Sequence, residues 1–263
     1  MLRAVDAVRR ALRGQQVRAG VAYRRLLERL VVHRSLTGDA PVLEPARFPW
    51  TRTLEAGWPR IRAEADALLR HLDELPSLYA LSPEQSVVTR DDRWRTVFLH
   101  AFGRRMHATC ARCPETARLV EQVPGMRTAF FSVLAPGKRI PAHRGPWRGV
   151  LRYHLGLVVP EPSERCTIRV GTHLLNWHEG ESLLFDDAVE HEVWNDTAGW
   201  RVALVLDVLR PLAPPFDRIN ARLVDHVGRM PIFAGLATRQ ECWERDVAAL
   251  WDEPAAPPAP PTP

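Results

Sequence analysis

The sequence predicts a mainly β domain with flanking helices, and three observations carry that prediction. Between residues 128 and 209 the chain breaks into short, turn-bounded apolar runs rich in branched and aromatic side chains. The runs lie too close together for crossover helices, so the strands should be antiparallel and close into a sandwich or barrel. The 263 residues are 46% hydrophobic, enough for one sizeable core, and the nine tryptophans suit a β-rich interior.

In chain order, residues 1–34 read as helix. Val5, Val8 and Leu12, then Val21, Leu26, Leu27 and Leu30, recur at near-helical spacing with arginines between them. Nine arginines against Asp6 and Glu28 make this segment +7, whereas the whole chain is +5, so residues 35–263 sum to −2. Three readings stand: a packing helix with a solvated basic face, a peripheral contact with a membrane or acidic partner, or an Arg-rich transit peptide. Gly38, Pro41, Pro45 and Pro49 mark a linker, which places a boundary near residue 45. LEAGWPRIRAEADALLRHLDE, roughly 54–74, reads as a helix with Pro59 expected near its start, because an interior proline breaks a helix.

The strands follow as 128–136, 150–160, 166–170, 181–187, 191–197 and 201–209. Residues 216–252 return to helical character. The last eleven, EPAAPPAPPTP, hold six prolines and read as an extended, disordered tail. The β domain therefore spans 46–215.

Composition narrows function by exclusion. Of 36 basic residues only Lys138 is lysine, and no aromatic-laced basic stripe accompanies the charge, so nucleic-acid binding is not expected. Cys110, Cys113, Cys166 and Cys242 are too few for a disulfide framework; the C-x-x-C of the first two lacks a second pair for zinc, and free thiols are expected. With no run of about 18 apolar residues and no signal core, the expectation is a cytoplasmic protein.

Strand alternation then separates two surfaces. In 150–159, Leu151, Tyr153, Leu155, Leu157 and Val159 form a packing face; Val150, Arg152, His154, Gly156 and Val158 point the other way, toward a cavity. Arg201, Ala203, Val205 and Asp207 likewise share a face. An arginine inside an apolar strand is costly unless paired, so its partner is either a protein carboxylate such as Asp207 or a ligand carboxylate. His143 and His191 stand at strand ends 48 residues apart, ten residues before Arg201. That pattern fits a mononuclear iron site in a double-stranded β-helix, the jelly-roll or cupin-like fold, although two histidines at such spacing also arise by chance among ten.

HRGPWRGVLRYHLGLVVP, FDDAVEHEVWNDT and RVALVLDV, with FPWTRTLEAGWPRIRAEA, FLHAFGRR, CPETARLVEQVPG and FFSVLAPG upstream, resemble the aspartyl/asparaginyl β-hydroxylase family of iron(II)/2-oxoglutarate dioxygenases. The resemblance covers roughly residues 46–212, with several motifs in matching order. It implies that His143 and His191 ligate iron, that Arg201 clamps the distal carboxylate of 2-oxoglutarate, and that O2 is the other cosubstrate. It also implies that Ser132, Arg152 and His154 line the cosubstrate pocket. Tyr153 is taken with them, as is His100, which falls where the family often has tryptophan. Arg144 and Trp147, on the loop after the first ligand, are candidates to face substrate.

Gly145 stands where most iron dioxygenases carry a carboxylate, which leaves a position for water or halide. Asp186 and Asp187 are expected to support the ligands rather than replace the missing one. The implied reaction is hydroxylation of the β-carbon of an aspartyl or asparaginyl unit in a peptide, amino acid or natural product. A lipid acyl chain is the alternative; the HRG glycine, shared with the peptide-hydroxylating members, and the lack of a membrane span count against it. A halogenase and a non-catalytic cupin-like binding protein are the remaining readings.

Overall fold

The computed structural model describes residues 26–252. The predicted segments 1–25 and 253–263 lie outside the described residues; residues 26–33 are helical, as expected.

Strands β4 (Met126–Leu134), β6 (Val150–Val158), β9 (Ser182–Phe185) and β11 (Arg201–Leu209) alternate along the chain with β5 (Arg139–His143), β7 (Cys166–Val170), β8 (His173–Asn176) and β10 (His191–Asn195). The first set pairs in the order β9-β6-β11-β4 and the second in the order β5-β10-β7-β8. A chain that keeps crossing between two antiparallel sheets in this way is a double-stranded β-helix, so the predicted class holds. The first sheet is widened at its edges by β1 (Val42–Leu43) beside β9, and by β2 (Trp94–Ala101) and then β3 (Arg104–Arg105) beyond β4.

The packing face foreseen in β6 is realised as far as Leu157. Past the register shift near Gly156, Val158 packs with the helix-facing cluster and Val159 with the cluster between the sheets, the reverse of their expected faces. Leu151, Tyr153, Leu155 and Leu157 are each fully buried, in one cluster with Leu54, Ile61, Ala65 and Leu68 of helix α1 (Pro49–Leu69). Each such aliphatic side chain contributes roughly 1.5–3 kcal/mol when removed from water. This burial explains the departure at Pro59, which lies inside α1 rather than at its start. Gly57 lets the helix press against Leu119, the Trp58 indole donates to the carbonyl of Gly156, and Ile61 is buried beyond the proline, so tertiary contacts keep the helix continuous.

Between β3 and β4 the chain forms α3 (His107–Arg112) and α4 (Pro114–Glu121). A short helix α2 (Leu78–Leu81) precedes β2, and α5 (Phe216–Gly228) and α6 (Pro231–Asp252) realise the C-terminal helical region. Leu81 of α2 with Leu236 and Ala237 of α6 packs against Phe98, Phe130, Ala203 and Val205, closing one side of the barrel. A further cluster, including Leu134, Ile140, Ile168, Trp177, Phe185 and Val193, fills the space between the two sheets. No helix among the described residues is long and apolar enough to cross a membrane.

Candidate active site

His143 ends β5 and His191 begins β10, and the two residues are direct partners across that antiparallel pair. Their rings lie 4.2 Å apart between centroids. Each Nδ1 is spent on a backbone carbonyl two residues earlier, His143 on Pro141 at 2.8 Å and His191 on Val189 at 2.9 Å. A carbonyl only accepts, so each Nδ1 carries the hydrogen and each Nε2 is left as a free lone pair. Burial holds both imidazoles neutral, with pKa values lowered to about 4. Two neutral imidazoles with tautomers set by the backbone are ready-made metal ligands.

Asp187 completes this end of the site. Its Oδ1 lies 3.6 Å from His191 Nε2, and a Cβ added to Gly145 would fall 1.6 Å from its Oδ2. The glycine thus vacates the space that the Asp187 carboxylate occupies, and the Gly145 amide donates to the Asp187 carbonyl at 2.7 Å. Asp187 Oδ1 is 2.7 Å from Arg152 Nη1 yet has no aligned hydrogen bond. Burial pushes this carboxyl up to about 6, while Arg152 pulls it down. The donor set of two imidazoles and a carboxylate suits a divalent first-row metal such as iron.

Arg201 lies deeper. Only 1% exposed, it has no carboxylate partner among the described residues; Nη1 reaches the carbonyl and hydroxyl oxygens of Ser132, both at 3.3 Å, and Nε has no partner. Asp207, the protein carboxylate considered from the sequence, is instead bound to Arg152 Nε at 2.8 Å. Desolvation lowers the Arg201 pKa to about 10. A buried guanidinium with neutral neighbours is chemically suited to pairing with an anion.

A continuous chain of side chains joins the two ends. Phe185 meets His191 at 5.5 Å and His154 at 5.2 Å between centroids. His154 stacks on Trp177 at 5.9 Å, its Nδ1 accepting from the indole at 3.3 Å, and the Arg201 guanidinium lies 4.7 Å over the Trp177 ring. His154 is buried and held far below its usual pKa by desolvation and then by Arg201, so it is a neutral wall of the pocket. Trp94 Nε1 donates to Ser132 Oγ at 3.0 Å, fixing the hydroxyl beside Arg201.

The structure therefore brings together His143, His191, Arg201, Ser132, Arg152 and His154, with Arg152 committed to two carboxylates. Tyr153 is a correction. It points into the helix-facing core, its hydroxyl paired with Ser182 Oγ at 2.8 Å, because alternation turns it away from Arg152 and His154. His100 is another. A bulge between Phe98 and His100 shifts the phase of β2, and the imidazole bonds Glu121 at 3.2 Å beside a separate cavity of about 770 Å³. Sequence reasoning missed Trp94 and Trp177. For Trp94 the signal was its place two residues before Thr96, the cross-strand partner of Ser132.

His100, Cys110 and Glu121 bring three donor atoms within 4.8 Å of one another, a closeness not found for His143, His191 and Asp187. The chemistry nevertheless favours the latter group. Glu121 is already paired with Arg105 at 2.8 Å, and burial pushes the Cys110 thiol up to about 11, away from the thiolate that binds metals.

Residues 55–211 match the family model described as aspartyl/asparaginyl beta-hydroxylase. An ornithine lipid ester-linked acyl 2-hydroxylase of Rhizobium tropici is 43% identical over 209 residues, covering 79% of this chain and 74% of that protein. The human aspartyl/asparaginyl beta-hydroxylase is 36% identical over 172 residues, covering 64% of this chain and 22% of the human protein, so the chain spans about a fifth of that relative. A Pseudomonas putida prolyl-4-hydroxylase structure, 17% identical over 59% of this chain and 88% of that one, has a TM-score of 0.39, too remote to carry an argument. With its interior histidine pair and the match over 55–211, this chain belongs to the aspartyl/asparaginyl β-hydroxylase family of hydroxylases.

Proposed function

We propose that the protein is an iron(II)/2-oxoglutarate-dependent hydroxylase acting on a methylene next to a carbonyl carbon, in the ester-linked acyl chain of an amino-acid lipid. The single observation that carries the cosubstrate is Arg201, a buried guanidinium without a carboxylate partner among the described residues. His143 and His191 would hold the metal through Nε2. A ferrous ion held there supplies the chemistry that couples decarboxylation of 2-oxoglutarate to succinate with insertion of one oxygen atom into a C–H bond.

The chain's own residues do the rest. Arg201 offers its planar fork to the distal carboxylate, with Ser132 donating beside it once Trp94 has engaged the hydroxyl oxygen. Trp177, Phe185 and His154 exclude water between the two ends, which strengthens each polar contact. Arg152 fixes Asp187, whose unaligned oxygen is an acceptor for a water proton at the site.

The substrate class draws on chemistry common to the relatives' names. The 2-position of an ester-linked acyl chain and the β-carbon of an aspartyl or asparaginyl residue are both CH2 groups bonded to a carbonyl carbon. Identity of 43% over most of the chain favours the lipid, which reverses the ranking expected from the HRG glycine. The aspartyl or asparaginyl unit is the second reading, favoured by the 36% relative and by exposed Arg144 beside His143, suited to a carboxylate.

Purified protein with iron(II), 2-oxoglutarate and micellar ornithine lipid should form succinate and a lipid heavier by one oxygen. Aspartyl peptides should give neither. Either His143→Ala or His191→Ala should abolish substrate-dependent succinate, and full turnover in one of them defeats the assignment.

A further inference from the structure

Leu26, 63% exposed, and Leu30, 39% exposed, lie four residues apart on the helical segment 26–33 and so share a face. At the next turn Arg34 donates its amide to the Leu30 carbonyl and lays its guanidinium 4.9 Å over the Phe216 ring. One turn further along α5, Ile219 is 55% exposed. Its neighbour Asn220 accepts from the Trp147 indole at 2.8 Å and donates to the Gly149 carbonyl at 2.8 Å. Trp147 and Gly149 belong to the loop that leaves the ligand His143. Leu36, 64% exposed, is tied to the segment just after β11, its N–H donating a hydrogen bond to the Pro211 carbonyl.

Isolated exposed leucines are ordinary. Here four large aliphatic side chains stand on segments bonded to one another and to the rim of the barrel. Arg29, Arg144, Arg218 and Arg222 are exposed on the same segments, and residues 1–34 carry nine arginines against two acids. Glu28, Asp39 and Asp217 oppose them, and Asp39 is held by Arg148 at 2.6 Å. Apolar side chains framed by net positive charge suit the interface of an anionic bilayer.

We infer that this rim docks on an anionic lipid bilayer and holds the barrel mouth at the membrane surface. The inference rests on the lipid-acyl reading proposed above. Docking delivers an acyl chain to His143 and His191 without its passage through water. It also assigns the basic N-terminal segment a membrane role.

The test uses the full chain and vesicles of phosphatidylcholine with or without phosphatidylglycerol. Wild-type protein should sediment with the anionic vesicles, weakly with the neutral ones, and less as salt rises. The triple substitution Leu30→Ser, Leu36→Ser, Ile219→Ser should cut sedimentation about tenfold or more. Turnover of vesicle-embedded substrate should fall in parallel, while turnover in detergent micelles stays within about twofold. A variant that sediments like wild type, or a wild-type protein that ignores anionic vesicles, overturns the docking surface. A wild-type dimer that the triple variant converts to monomer does so too, since a second copy then covers the patch. Vesicle binding without turnover of any micellar lipid leaves docking standing and defeats the lipid-acyl reading alone.

Discussion

Arg201 opens β11 and Arg210 follows its last residue, and both are only 1% exposed. Arg210 is saturated: Asp186 at 2.6 Å, the Arg148 carbonyl at 2.7 Å and the Gly38 carbonyl at 3.2 Å. Among the described residues Arg201 hydrogen-bonds only to the neutral oxygens of Ser132. Burial alone therefore does not distinguish a structural cation from a binding one; the inventory of partners does. The saturated end ties the segment around Asp39 and the loop at Arg148 to the barrel, and the unsaturated end is the one proposed to bind a carboxylate.

The widest separation between the two ends should come from Arg201→Ala. With the carboxylate anchor gone, kcat/KM for 2-oxoglutarate should fall about 1,000-fold, while urea unfolding of the metal-free protein shifts by less than about 1 kcal/mol. A large loss of stability would make Arg201 a structural residue after all.

Arg210→Ala should do the reverse. Arg148 still holds the Asp186 carboxylate at 2.8 Å, so loss of the Arg210 guanidinium should cost about 1.5–3 kcal/mol in urea unfolding, with KM for 2-oxoglutarate unchanged in the folded fraction. A raised KM there would erase the contrast.

A smaller effect belongs to pH. His143 and His191 fall from the ordinary 6.5 to about 4 on folding, so between those values the unfolded chain binds more protons. The contribution of these two groups to the stability of the metal-free protein is thus fully present above about 6.5 and is lost as pH falls toward about 4. Asp187, whose carboxyl is pushed up to about 6 by burial, opposes that loss in part. The double substitution His143→Gln, His191→Gln should flatten that slope; an unaltered slope would place its origin elsewhere.

Least of all should follow from Tyr153→Phe, which deletes one hydroxyl contact with Ser182. The cost should be about 1 kcal/mol of stability, with no change in KM for 2-oxoglutarate. A shift in KM would return Tyr153 to the cosubstrate pocket.

Much of this architecture is legible in the amino-acid order because alternation is a local property. The six apolar runs became β4, β6, β7, β9, β10 and β11, and the two faces of β6 separated as their period requires up to Leu157, where a register shift exchanges Val158 and Val159. His191 and Arg201 open two of those strands, whereas His143 ends β5, which none of the apolar runs revealed. What escaped depends on tertiary detail. The bulge in β2 re-aims His100 without any signature in FLHAFGRR. Trp177 sits just past β8 and contacts His154 and Arg201 only once the sheets have closed. Asp187 acquires its position because Gly145, distant in the chain, lacks a side chain. Pro59 is tolerated in α1 through contacts with Leu119 and Gly156 that no propensity encodes.

The histidine pair occupies one rung between β10 and β5, and β5 is an outermost strand of its sheet. If the proposed ion is gripped by both imidazoles, it would be a rivet through the border of the barrel as well as a reaction centre. Loading and unzipping of that border become opposed events: every metal bound resists peeling of β5, and every excursion of β5 offers the metal an exit.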